Sequence, residues 1–488
     1  MTAPGSSSSL ANLSSRSQWQ AFAVCIAVAA LTILDLSKVN VGLPSIEKSL
    51  GADSSALQVI VAGYALAFGL ALVPAGRLGD LYSRKVMFVI GLSGFTVASA
   101  LCALAPNIET LLVARILQGV AAGVQMPQVL GLVQQLFQGE ARGRAFGLFG
   151  ATIGVATAFG PTLGGLLIAV GGATDGWRLL FWMNVPLGII ALAFALRLLP
   201  RTQPHQPGAR NLDLVGIVLL GIGVFAFMLP FVLTTGGPDD APLRWLWLAA
   251  SAAAIALFVL WERRYEAAGK SPAIQFALFR LGSYRNGLLL ATAYFAAIPA
   301  VFLLTTLFLQ QGLGYPPVFA GMVSIPFALT SAVSSLIGGR LVNRYGRSLV
   351  VLGLGIAFVG FVLLLVAAEV PPAEYSIWWM GGAMAVAGIG GGLVISPNQT
   401  LTLAEIPVTE GGVAGSMAQV GQRVGTAVGV AAASSLFFAT LYREAPGADM
   451  VDTYHEGYRN GFLVTLALVL VALLIGLVDL RRRAKAAN

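Results

Sequence analysis

Gly76-Arg77-Leu78-Gly79-Asp80-Leu81-Tyr82-Ser83-Arg84 returns in the second half of the chain as Gly339-Arg340-Leu341-Val342-Asn343-Arg344-Tyr345-Gly346-Arg347. Each copy is a short basic segment between two long apolar runs, so each reads as a loop joining two membrane-spanning helices. The match extends beyond the loop. Gly150 and Gly154 of the fifth apolar run correspond to Gly421 and Gly425 of the thirteenth, at nearly the same offset. Two parallel six-helix repeats follow, related by an axis along the membrane normal.

Composition supports that reading. Of 488 residues, 57% are hydrophobic and 10% charged, against roughly 25% charged in soluble domains. The 58 glycines suit helices that approach closely in lipid. Spans are expected near 20–43, 56–76, 86–105, 109–137, 145–170 and 177–198. Further spans fall near 213–235, 243–262, 287–311, 315–338, 348–369, 375–404, 415–441 and 460–481. The expected fold is therefore an all-α membrane protein of fourteen helices. It divides into a disordered cytoplasmic tail (1–19), an N-terminal six-helix bundle (20–198), and a linker carrying two extra spans and a cytoplasmic loop (199–286). A C-terminal six-helix bundle (287–481) and a basic cytoplasmic tail (482–488) complete it. The first span is too long for a signal peptide and contains Asp35, so it reads as uncleaved.

With both termini placed inside, about 21 of the 29 Lys and Arg fall in cytoplasmic segments, as the positive-inside rule demands. The net charge of +8 then reports topology and not nucleic-acid binding. A multi-pass protein of a bacterial-type cytoplasmic (inner) membrane is expected. Cys25 and Cys102 sit inside apolar runs and read as small core residues, and the two histidines, His205 and His455, assemble no metal site. No Gly-rich phosphate loop with a following Lys-Ser/Thr is present, which argues against a built-in ATPase.

Several motifs carry a family resemblance. The loop after the second span holds Gly76, Leu78, Asp80, Arg84 and Lys85, with Ser83 where a glycine is usual. Leu111 to Gly123 contains Arg115, Gln118 and Gly119, and Gly150 to Gly165 contains Gly160-Pro161 and Gly164-Gly165. The first span carries Leu34-Asp35-Leu36-Ser37-Lys38-Val39-Asn40-Val41-Gly42-Leu43-Pro44, and Trp177-Arg178, Asn184-Val185-Pro186 and Pro272 to Arg280 follow. Together these resemble the major facilitator superfamily and, within it, the fourteen-helix drug:proton antiporter branch. The resemblance implies multidrug efflux by proton antiport, with the fifth-helix glycines as the antiporter signature and the basic loop as an inner gate. No cofactor is implied beyond the proton gradient.

Intramembrane charges cost about 2.5–3.5 kcal/mol each on insertion scales and are functional candidates by default. Asp35 is the acid placed deep in a span; Lys38, Arg115 and Arg423 are the deep bases. Asp35 and Arg115 lie at depths that differ by about 3 Å at helical rise. They are expected either to couple protons or to form a static pair between the first and fourth spans. Lys38, one turn from Asp35, either neutralises it or faces the cavity beside Arg115 and Arg423. The second arrangement favours neutral, zwitterionic or anionic lipophiles over dicationic ones. Gln118, Gln125, Gln128, Asn398, Gln399, Gln419 and Gln422 line a polar pathway or act as interhelical glue, with Asn40, Tyr294 and Phe302 as further cavity candidates. Gly76, Asp80, Arg84, Lys85, Arg340 and Arg344 are the expected gate, and Gly150, Gly154, Gly160, Pro161, Gly164 and Gly165 the expected sliding face.

One inward proton supplies about 2.3 kcal/mol per 100 mV and about 1.4 kcal/mol per pH unit, together enough for roughly a 500-fold gradient of a neutral substrate. The protein is expected to act as a monomer on small lipophilic molecules. A dedicated metabolite or lipid exporter on the same scaffold is the alternative. An uptake symporter is disfavoured by the fifth-helix motif, and a membrane enzyme or receptor by the lack of a catalytic constellation.

Overall fold

The computed structural model describes residues 14–52, 54–172, 174–200, 213–234, 240–370, 373–443 and 450–487, and among these no strand forms. The first half runs through α1 (Ser15–Leu50), α2 (Ser54–Leu81), α3 (Arg84–Leu104), α4 (Ile108–Leu136), α5 (Gly139–Gly171), α6 (Trp177–Trp182) and α7 (Asn184–Leu198). A hairpin of α8 (Leu214–Val232) and α9 (Leu246–Ala267) follows. The second half contains α10 (Gly282–Leu307), α11 (Pro317–Met322), α12 (Ile325–Tyr345), α13 (Arg347–Glu369), α14 (Ala373–Thr402), α15 (Gly411–Arg443) and α16 (Met450–Ala487). Taking α6–α7 and α11–α12 as interrupted spans, fourteen segments among the described residues are long and apolar enough to cross a bilayer.

Local chemistry explains the boundaries. Ser14 caps α1 by accepting from the Ser17 N–H, and Gly51 ends it in the left-handed region at φ 64°, where glycine carries no Cβ penalty. α1 is therefore longer than the expected 20–43 at both ends, and residues 15–19 are helical where a disordered tail was expected. The rest of that tail, residues 1–13, lies outside the described residues, as does most of the linker loop at 201–212. α16 likewise continues through Ala487, beyond the expected start of the basic tail at 482.

The duplicated loop turns in two ways. Ser83 has an extended backbone, φ −164°, and its side chain caps α3 by accepting from the Val86 N–H. At the equivalent place Gly346 has φ 51°, a conformation only glycine adopts freely. The serine in the first copy thus replaces a glycine turn with a capped helix start.

The halves meet along two pairs of helices. α5 packs on α12, where Gly143, Gly147 and Gly339 leave no room for a Cβ against the opposing backbone. α2 packs on α15, where Gly76 lies against Gly412 and Ser416. The α8–α9 hairpin is joined by a Ser251 Oγ bond to the Gly223 carbonyl at 2.7 Å and lies alongside α2 and α15, with Met228 near Gly69. Large apolar side chains such as Leu166, Val170 and Trp378 are 60–78% exposed. Such a surface is tolerable only in lipid, where the helices satisfy their own backbone groups.

Candidate functional site

The deep charges of the first half, Asp35, Lys38 and Arg115, converge on one point. Asp35 is wholly buried and accepts from Arg115 Nη1 at 2.8 Å on Oδ2 and from Asn184 Nδ2 at 2.7 Å on Oδ1. Lys38 Nζ stands 3.6 Å from Asp35 Oδ1 and donates to Asn184 Oδ1 at 2.6 Å. Gln118 accepts from Arg115 at 2.7 Å and donates to Ser99 Oγ at 2.8 Å. The Arg115 guanidinium lies over the Tyr64 ring, 4.1 Å from its centroid. Two cations thus share one carboxylate inside a low-dielectric bundle, where each charge interaction is stronger than in water.

Helix interruptions make this possible. The sixth span breaks at Met183, which places Asn184 at the start of α7, and Pro186 lacks the N–H that a continuous helix would use. A broken helix at the level of buried charges frees polar groups to meet them. Asn184 and Tyr64 were not among the expected site residues. The signal for the first was the Asn184-Val185-Pro186 motif; Tyr64 had none beyond being a polar aromatic in an apolar run. Nearby, Arg178 donates to the Ala103 and Ala105 carbonyls at 2.9 and 2.8 Å and pairs with Asp175. Hydrogen bonds from Ser49 and Arg178 hold the Asp175 carboxyl below its ordinary range.

A second cluster closes the end of the molecule that carries both termini. Asp80 belongs to the last turn of α2 and accepts from the Gly412 and Val413 N–H groups at 3.1 and 2.9 Å. It therefore caps α15 of the other half, not α3 of its own. An anion at the first turn of a helix is stabilised by the aligned peptide dipoles. Arg84 holds Asp80 at 2.6 Å and also bonds the Gly131 and Val408 carbonyls. Gln134 Nε2 reaches the Leu403 carbonyl at 3.0 Å.

The remaining gate residues behave differently from expectation. Lys85 does not pair with Asp80; it donates to the Leu196 and Leu199 carbonyls at 2.8 and 2.7 Å and so caps α7. Arg340 and Arg344 are exposed, because they stand on the outer face of the last turns of α12. Arg347 is the buried arginine of this copy, and it pairs with Asp479 at 2.7 Å within the second half, not across the halves.

The cavity candidates also separate. Lys38, Gln118 and Gln125 are fully buried inside the first half, Gln125 bonding Thr32 at 2.7 Å; polar groups in an apolar bundle turn toward partners, not toward a pathway. Asn398 joins Arg347 and the Gly287 carbonyl. Tyr294 is fully buried beside Gly391, and Phe302 stacks edge-on against Phe327 at 5.1 Å. Asn40 is exposed. Arg423 and Gln419 stand on α15 where it faces the first half, Arg423 lying 4.5 Å from the Phe68 ring centroid on α2. The expected single glycine face of α5 is in fact two: Gly150 and Gly154 face Ser335 and Ser331 of α12, whereas Gly160 and Gly164 face Ser37 and Lys38 of α1. A Cβ at Gly165 would meet nothing.

Two six-helix halves, closed on each other at one end around a buried ion cluster, define a secondary transporter that works by moving one half against the other. The chain belongs to the Major Facilitator Superfamily, whose sequence pattern matches residues 23–430 and 287–488. It is a multi-pass membrane transporter and not an enzyme. It is 34% identical over 431 residues to the probable actinorhodin transporter of Streptomyces coelicolor, covering 88% of this chain and 74% of that one. It is 32% identical over 481 residues to the puromycin resistance protein pur8 of Streptomyces alboniger, covering 96% and 93%. The multidrug resistance protein Stp of Mycobacterium tuberculosis is 32% identical over 415 residues, 84% of this chain and 74% of that one. In fold it is similar to the human organic anion transporter MFSD10 (TM-score 0.65, 15% identity, covering 94% and 99%). The proton:xylose symporter XylE is similar in the same way (TM-score 0.64, 16% identity, covering 95% of each chain).

Proposed function

We propose that the protein exports small lipophilic molecules from the cytoplasm in exchange for protons, as a monomer in a bacterial cytoplasmic membrane. The observation that carries this reading is the single carboxylate Asp35 shared by Arg115 and Lys38. Protonating Asp35 removes the charge that ties α1 to α4 and α7; releasing the proton re-forms the tie. A carboxylate whose state changes helix packing in this way converts a proton gradient into movement of one half against the other. The relatives named as resistance proteins support export. The basic residues gathered at the end of the termini support placing both termini in the cytoplasm. Two cations to one carboxylate disfavour a dicationic substrate and favour neutral, zwitterionic or anionic ones.

A dedicated exporter of one metabolite is the second reading, favoured by the relative named for actinorhodin. Inside-out vesicles with an imposed proton gradient separate these possibilities, using a cationic dye, a neutral antibiotic and an anionic lipophile. Substrate-dependent proton release by the wild type and not by Asp35→Asn is the expected result, and Lys38→Ala is expected to shift preference toward the cation. Normal coupling in Asp35→Asn sinks the proton site; movement of only one compound class indicates the dedicated exporter.

A further inference from the structure

Arg423 is a charge without a counter-charge. Among the described residues no carboxylate stands within ion-pair distance of it and no hydrogen bond reaches it; its described neighbours are the Phe68 ring, 4.5 Å away, and Tyr64. It lies twelve residues into α15 (Gly411–Arg443), about 18 Å along the helix from the closed end. One turn earlier on the same face, Gln419 is 7% exposed, and its Nε2 is buried with no partner. A buried donor without an acceptor is costly and calls for an explanation. Two donors from α15, five N–H groups on one and an amide on the other, therefore meet no acceptor among the described residues.

Their surroundings are aromatic. Phe68 stacks on Tyr64 at 6.2 Å with planes 21° apart, and both are pressed into place because Gly119 and Gly123 of α4 lie directly on their backbones. From Phe68 toward the end opposite the termini, no hydrogen bond, ion pair or ring contact joins α2 to α15 among the described residues. Arg423 thus stands half-buried where α15 faces the first half, with its guanidinium over the buried Phe68 ring.

We infer that Arg423 and Gln419 form a subsite for the oxyanion of a lipophilic acid, a carboxylate or an acidic phenol. The planar guanidinium matches a two-oxygen anion bidentately and binds aromatic faces at the same time. This rests on the export reading and names the substrate class of that site: the subsite belongs to the second half, while the proton site belongs to the first.

The test is fluorescence titration of purified protein in nanodiscs, without any gradient, using 9-anthracenecarboxylate and the uncharged 9-anthracenecarboxamide. The wild type is expected to prefer the acid by about tenfold or more, as for a charge-assisted pair. Arg423→Gln is expected to bring the acid-to-amide ratio to about one, and Arg423→Lys to keep only part of it because a point charge lacks the fork. Gln419→Leu tests the second donor without touching the charge and is expected to lower the ratio about threefold. Equal binding of acid and amide by the wild type, an unchanged ratio in Arg423→Gln, or no saturable binding of the acid overturns the subsite. Arg423-dependent binding in a protein whose vesicles exchange no protons keeps the subsite and rejects proton-coupled export.

Discussion

Asn184 decides how two cations tolerate one carboxylate. Its amide donates to Asp35 while its carbonyl oxygen accepts from Lys38, so one neutral side chain satisfies both members of a close pair. Hydrogen bonds to charged groups are worth about 1.5–3 kcal/mol each. Asn184→Leu, which keeps the volume and removes both bonds, is expected to lower stability by about 3–6 kcal/mol and to impair substrate-dependent proton release. Thermal unfolding of the purified protein and the vesicle assay measure the two effects, and an unchanged unfolding temperature would mean that the bonds are idle. The pairing of Asp35 with Arg115 followed from depth along two helices. The part played by Asn184 did not, because it acts across 146 residues of chain and through a helix break whose position depends on tertiary packing. The neutral member of a charge cluster carries no hydropathy signal.

At the scale of the element, α5 serves two neighbours with one run of small residues. A step of ten residues turns a helix about 80° short of a whole number of turns, so Gly150 and Gly160 cannot share a face. The four-residue spacing within each pair was legible; the angle between the pairs decides which neighbour each meets. Gly147 lies against Ser335 and Gly339 of α12, with a built Cβ falling 2.9 Å from the Ser335 carbonyl oxygen. Overpacking of this kind costs about 1–3 kcal/mol, which corresponds to about a 5- to 150-fold change in an equilibrium between two arrangements. Gly147→Ala is accordingly expected to oppose closure of the terminal end and to slow transport, while Gly165→Ala, into open space, is expected to transport at the wild-type rate. Initial transport rates in vesicles check the contrast; equal rates for the two would show that α5 and α12 do not need this close approach.

At the scale of the whole molecule, the duplicated loop is symmetric in sequence and asymmetric in use. Fourteen spans and the two repeats were legible because hydropathy and duplication are local properties. Which copy locks the halves together was not, because it depends on one acid. Asp80 in the first copy crosses to the N-terminus of α15. Asn343 replaces it in the second and is exposed, so Arg347 turns to Asp479 within its own half. Asp80→Asn removes the carboxylate that Arg84, 2% exposed, pairs with. Breaking a buried pair from one side costs about 3–5 kcal/mol, comparable to the roughly 5.5 kcal/mol that carries a two-state equilibrium from 99:1 to 1:99. The readout is Ser416→Cys, fully buried at the α2–α15 contact and bonded to the Leu72 carbonyl in the closed arrangement; Cys25 and Cys102 are buried and contribute little background. A membrane-impermeant maleimide applied from the side of the termini is expected to react about tenfold faster or more in the Asp80→Asn background. Asp479→Asn, which breaks an equally buried pair inside one half, is expected to lower stability without opening that route. If both substitutions raise the labelling rate alike, closure is a general property of a well-packed bundle; if only Asp80→Asn does, one carboxylate in one copy of a duplicated loop sets which side of the transporter is shut.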